Sequence, residues 1–246
     1  MLDINTNKQG LIVYDGLDSS SYGIVVGRAP SFDKPAIKGS SVSVPGRNGA
    51  VLFQEDAYED IPRSYPIWVT EKALDTLAKR VSDFTNALYS KRGYLNLTDN
   101  FEPDIFRLAY FPGGQNFSNE LTMYGESTLQ FICRPERFLK TGATAVVVTD
   151  GATLKNPTNF KAKPLVYIQT ASEETVEISI GGKTIVAECE DYLYIDCEKM
   201  NAYRLASENK NSEISGDFPV ILPGSNTVGI DGNVTKVEIT PRYYFI

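Results

Sequence analysis

Four acids crowd one short stretch, Glu55, Asp56, Glu59 and Asp60 in QEDAYED, and Glu188, Glu190 and Asp191 gather further along. Carboxylates so placed can do two kinds of chemistry. A glycosidase sets two of them roughly 5–10 Å apart across a bound sugar. A calcium loop needs several oxygens at defined offsets, with a glycine to allow the bend. QEDAYEDIP has neither the alternating offsets nor an internal glycine, so it reads as a solvated loop, and residues 188–191 read as a hairpin tip. The 246 residues contain no histidine, which removes Ser-His-Asp and Cys-His triads and His-ligated zinc. Cys133, Cys189 and Cys197 are odd in number and fit no metal spacing. They lie in apolar strand-like runs and are expected as buried free thiols. A Cys189–Cys197 disulfide is the competing reading, disfavoured in a chain that shows no secretion signal. PGRNG and PGGQN carry glycines but lack the lysine and following helix of a phosphate loop. No catalytic residue, metal site or cofactor is assigned, and no enzyme is expected.

Aromatic residues offer a binding chemistry instead. Tyr192 and Tyr194 alternate onto one face of a strand and could stack a sugar ring, because the C–H face of a sugar is weakly apolar. The competing reading makes them half-buried sheet residues. The only tryptophan, Trp68, lies ahead of the helix described below.

Charge narrows the partners. Twenty-four basic against 31 acidic residues leave a net −7. With no basic stripe, nucleic-acid binding is not expected. No apolar run approaches 18 residues, so membrane insertion is not expected either. MLDINTNKQG has neither a basic start nor an apolar core, which reads as the end of a protein folded in the cytosol rather than a secretory signal.

The elements that must position these groups are mostly strands. Residues 11–15, 22–28, 41–44 and 50–54 are short and β-branched. One helix is predicted over 70–92, with Leu74, Leu77, Val81, Phe84 and Leu88 on one face. Thr70 suits its N-cap, Glu71 its positive end, Lys91 and Arg92 its negative end, and Gly93 its stop. The opposite face carries Lys72, Asp75, Lys79, Ser82 and Asn86. Strands resume at 93–97, 106–110 and 127–134, with 110–126 as loop and Pro135 ending the last strand. Residues 140–163 read as a hinge and a first strand, NPTN marking a turn.

A boundary near 141 divides an N-terminal β domain, 1–141, from a C-terminal domain, 142–246. The first 142 residues carry a net −2 and the rest −5. The second part alternates cleanly, with Val176, Ile178 and Ile180 on one face before a Gly181-Gly182 turn, and 234–240 as the closing strand. Turn signals every ten residues or so predict a jelly-roll sandwich. The expected fold is mainly β, with one long helix in the first domain.

Several stretches resemble one family in order along the chain. VPGRNGAVLFQEDAYED is similar to the Pro-Gly-Arg loop and following strand of the distal tail protein (Dit) family of long-tailed phages. WVTEKALDTLAKRVSDFTNALYSKRGYLNL resembles that family's helix and next strand, and LQFICRPERF the strand closing its first domain. NPTNFKAKPLVYI, SGDFPVILPGSNTVGI and VEITPRYYF resemble stretches of its second domain. The chain departs from the family at NPTN, where NPGT is commoner, and at Arg242-Tyr243, where Arg-Trp is commoner.

The resemblance implies a galectin-like C-terminal β-sandwich and N-terminal domains that close into a ring, typically a hexamer, around a DNA-wide conduit. It implies a structural hub in the virion tail, assembled in the host cytoplasm, that joins the tail tube protein to the baseplate or tip. Such a hub docks a tail-associated fibre or lysin protein and, in some relatives, receptor-binding proteins. The length leaves no room for the long inserted arm or sugar-binding module that some relatives carry. On this reading Pro45, Gly46, Arg47, Asn48 and Gly49 form a stiff loop at a subunit or tube contact, with Arg47 forking onto a neighbour's carboxylate. The alternative is a carbohydrate-binding sandwich using Tyr192 and Tyr194; a glycoside hydrolase using paired acids stands third.

Overall fold

The computed structural model describes residues 10–31, 33–70, 74–114, 118–120, 124–205 and 208–246. The chain is mainly β, with one α-helix among the described residues. It divides into two compact units, one ending at Arg137 and the other spanning Phe138–Phe245.

The first unit is built on one sheet. Its strands run in the order Leu17–Asp18, Ile12–Tyr14, Leu95–Asp99, Ile105–Tyr110, Tyr124–Leu139, Ile61–Thr70 and Ile24–Val26. The longest ladder sets Tyr124–Cys133 antiparallel to Ile61–Thr70. Alternation sends Tyr65, Ile67 and Val69 to the same side as Leu129, Phe131 and Cys133. The helix Leu74–Tyr89 covers that side, burying Leu77, Phe84 and Leu88 at steps of four and seven.

Several boundaries differ from the sequence reading, each for a local reason. Ile61–Thr70 is a strand that Pro62 and Pro66 conceal. The Pro66 carbonyl accepts from the Gly27 N–H at 2.9 Å, so residue 66 turns its backbone polar groups away from Tyr124–Leu139. Pro62, four residues earlier, has the same parity. Neither proline removes a donor from the long ladder. Thr70 ends this strand opposite Tyr124; its expected capping side chain, and the positions of Glu71 and Lys72, lie outside the described residues.

The helix ends at Tyr89, so Lys91 and Arg92 lie beyond it, and the Lys91 ammonium instead pairs with Asp15 at 2.8 Å. Gly93 does take a left-handed φ of 79°, but in the turn before Leu95. Pro135 does not end its strand, which continues to Leu139. The ladder with Ile61–Thr70 stops at Cys133, so Pro135 is not asked for a hydrogen bond there. Ser118–Glu120, read as loop, pairs with Tyr124–Glu126. Residues 41–43 and 50–54 belong to the longer strands Ile37–Ser43 and Ala50–Tyr58, which form a separate two-stranded ribbon, and Val44 lies just past the first.

The second unit is a two-sheet sandwich. One sheet has the order Val146–Val148, Lys236–Thr240, Leu165–Gln169, Tyr192–Asp196, Asn201–Arg204, Glu208–Asn209. The other runs Thr153–Asn156, Gly224–Asp231, Glu174–Ile180, Lys183–Cys189, Ile214–Gly216. Val166, Ile168, Leu193 and Ile195 from the first meet Val176, Ile178, Ile180 and Ile185 from the second in one core. Gly181 and Gly182, at φ 62° and 75°, make the two-residue turn between Ile180 and Lys183. A Cβ at Gly181 would sit 2.1 Å from the Val220 carbonyl, so no other residue fits that corner without moving it. Lys236–Thr240 is not the last strand; Tyr244–Phe245 follows.

Candidate docking surfaces

The ribbon Ile37–Tyr58 pairs with no other strand among the described residues. Its register sets Ser40 opposite Phe53 and Val42 opposite Val51, placing Val42, Val51 and Phe53 on one face. Phe53 is 58% exposed, Val42 48%, and Leu52 on the other face 66%. Pro45, Gly46, Arg47, Asn48 and Gly49 cap the ribbon and are all exposed. Gly46 and Gly49 take φ of 80° and 78°, and the Arg47 N–H donates to the Val44 carbonyl at 3.2 Å. The Arg47 guanidinium has no ion pair among the described residues. An isolated two-stranded ribbon is marginal in water, and both outer edges present unpaired backbone groups. Length, exposed apolar surface and free edges make this ribbon a candidate contact element. Of the acids beside it, Glu55 and Asp56 lie on the ribbon, and Asp60 accepts a hydrogen bond from the Tyr94 hydroxyl. Among the described residues no group of three or more Asp, Glu or Cys side chains could hold a metal.

The first unit is also tied by a buried ionic cluster absent from the sequence reading. Arg63 donates to Asp99 at 2.8 Å and to Glu102 at 3.0 Å, while Arg107 and Arg137 both pair with Glu102. The Tyr65 hydroxyl donates to Asp99 at 2.8 Å. Burial alone would raise the Asp99 and Glu102 carboxyls; the adjacent guanidiniums outweigh it and hold both below their ordinary values. Arg63 is likewise opposed by burial and raised by Tyr65 and Asp99. Arg63, Arg107 and Arg137 lie on three successive strands of the sheet and Asp99 ends a fourth, which fixes their spacing without loop flexibility.

In the second unit the structure joins Tyr192 and Tyr194 to two tyrosines that spacing does not connect. Tyr167 pairs with Tyr194, and Tyr194 with Tyr203, straight across three strands. Ring centroids are 4.9 Å apart for the first pair and 5.4 Å for the second, whose planes differ by 14°. Tyr192 stands 6.1 Å from both Tyr167 and Tyr194, with the Arg204 guanidinium 5.4 Å over its ring. All four tyrosines are half-buried. Cys133, Cys189 and Cys197 are buried and free, and burial pushes the Cys133 thiol up to about 11 and the Cys197 thiol to about 12.

Residues 18–133 match the family described as phage tail protein RIFT-related domain. That stretch, just under half of the chain, is similar to a phage tail domain. The matched stretch contains the ribbon and all of the ionic cluster except Arg137; the tyrosine row lies outside it. The crystal structure of the SPP1 Dit protein (gp 19.1), described as a paradigm of the hub adsorption apparatus in phages infecting Gram-positive bacteria, is similar over 97% of this chain and 100% of that one. The TM-score is 0.72 at 16% identity. The structure of the phage P2 baseplate in its activated conformation with Ca is similar over 94% of this chain and 96% of that one, at TM-score 0.56 and 11% identity. Both units thus follow the fold of the SPP1 Dit protein. No curated protein matches the sequence.

Proposed function

We propose that the chain is a structural hub at the distal end of a phage tail, part of the virion, closing into a ring of six copies. The ring joins the tail tube to the baseplate or tip and docks a fibre or lysin protein. It works by contact area and has no catalytic step. It is assembled in the host cytoplasm, with residues 1–141 as the ring-forming domain and 142–246 as a galectin-like domain outside the ring. The phage tail domain and the Dit fold support a tail hub. The observation that carries the ring is the ribbon Ile37–Tyr58, an exposed apolar strip with free edges that only a neighbouring subunit or the tube would cover. A ring needs a heterologous contact, in which one surface of each copy meets a different surface of the next. The stiff tip at 45–49 loses little entropy on docking, and Arg47 supplies a bidentate donor for a carboxylate.

Phe53→Asp is expected to abolish ring closure and tail joining, and Arg47→Ala to weaken them at least tenfold. Native mass measurement, with and without the tail tube protein, and counting of tail-joined particles read both effects. Neither side chain enters a core, so folding is preserved. If both variants assemble at the wild-type level, the ribbon is not the contact and the proposal fails.

A further inference from the structure

One row of residues crosses the whole six-stranded sheet of the second unit on its outward face: Val147, Glu238, Tyr167, Tyr194, Tyr203 and Asn209. Six strands at the usual spacing make the row about 24 Å long. It stays in contact with solvent: Val147 is 59% exposed and the tyrosines half-buried. The near-parallel Tyr194 and Tyr203 rings lie against each other, so they offer edges and hydroxyls outward. A sugar ring needs an open aromatic face; a protein surface uses edges and hydroxyls equally well.

At one end of the row Arg204 links the tyrosines to a recess. Its Nε donates to the Tyr192 carbonyl at 3.2 Å. The recess, about 90 Å³, is lined by Arg204, Lys210, Glu173, Glu188, Glu190 and Glu213. Lys210 is already paired with Glu213 at 2.7 Å and Glu208 at 3.0 Å. The carboxylates of Glu173, Glu188 and Glu190 have no ion pair among the described residues. Four acids against two cations leave the recess short of positive charge. Its volume falls well below the roughly 300–1,000 Å³ of small-molecule pockets and suits the end of one side chain.

We propose that this face docks a partner protein of the tail, which lays a flat surface over the tyrosine row and places one lysine or arginine in the recess. Tyrosine and arginine at the centre of a contact, with a charge on its border, is the composition of energetically dominant interface sites. A second copy meeting this face with its own would set the same carboxylates against each other. The inference rests on the hub reading, since it needs the chain in an assembled tail.

Native tail particles supply the test. Zero-length carbodiimide coupling is expected to join Glu188 or Glu190 to a lysine of a different tail protein. Hydroxyl-radical oxidation of Tyr167, Tyr194 and Tyr203 is expected to fall at least fivefold in particles relative to the free chain. A Glu188→Lys/Glu190→Lys variant is expected to enter particles normally, with an unchanged Tm, but to lose that partner at least tenfold; both positions are exposed. Equal oxidation in particle and free chain, coupling only to a second copy of this chain, or protection that appears only with cell-wall oligosaccharide would each overturn the inference and leave the hub intact. Absence of the chain from particles would overturn the hub reading and this inference with it.

Discussion

Glu102→Ala is expected to destabilise the first unit by about 3–5 kcal/mol, the usual cost of removing one member of a buried ion cluster. The Glu102 side chain is only 10% exposed and answers three guanidiniums. Its loss leaves Arg107 and Arg137 without a carboxylate partner among the described residues, while Asp99 retains Arg63. Trp68, the only tryptophan, lies in the strand Ile61–Thr70 and reports this unit in urea unfolding. Lys79→Ala, which removes the exposed i,i+4 pair with Asp83, is the contrast and should cost less than about 1 kcal/mol. Equal costs for the two substitutions would show that the buried cluster does not hold the unit.

The same cluster sets an acid limit. The folded carboxyls of Asp99 and Glu102 are held below their ordinary values of 3.8 and 4.5. The unfolded chain therefore binds protons first, and stability is lost as pH falls through and below that range. Above about pH 6 the contribution is fully present and flat. Glu102→Gln should flatten this acid limb as well as lower the plateau.

Asp196→Ala is expected to cost the second unit about 3–5 kcal/mol. Asp196 is 1% exposed, accepts two hydrogen bonds from Arg242 at 2.6 and 3.1 Å, and also accepts from the Glu198 and Lys199 N–H groups. Arg242 sits at φ 59°, a left-handed conformation costly for a residue with a side chain, and this bidentate pair holds it there. Asp196→Asn keeps an oxygen for both turn N–H groups but loses the charge and one of the two acceptors facing Arg242, so it should cost less than Asp196→Ala. The second unit has no tryptophan, so near-ultraviolet circular dichroism of its tyrosines reads the change. If Asp196→Asn costs as much as Asp196→Ala, charge pairing with Arg242 dominates and the turn hydrogen bonds contribute little.

What the sequence made legible was local. Val176, Ile178 and Ile180 announce a strand by alternation, and Leu77, Phe84 and Leu88 a helix by their steps; both lie where expected. The strand Ile61–Thr70 was hidden because proline propensity is read without knowing which side of the strand pairs. Only the Pro66 carbonyl's bond to Gly27 shows that its missing N–H faces the short neighbour.

The candidate surfaces divide the same way. The tip at 45–49 is visible as a run of turn residues, and Tyr192 with Tyr194 as neighbours two apart. Tyr167 and Tyr203 join them only through strand register, which no single stretch encodes. Arg63, Asp99, Glu102, Arg107 and Arg137 each look like ordinary surface charges in sequence. Their meeting is a product of sheet order and of the connection that carries Glu102.

The buried thiols carry a further consequence. Cys133 lies in the first unit's core and Cys189 and Cys197 in the second's, each kept protonated by its apolar surroundings. Alkylating reagents attack the thiolate, so modification waits until the surrounding strands open. The chain thus holds separate chemical clocks, and the pace at which iodoacetamide marks each cysteine times the opening of its half of the molecule without any engineered label.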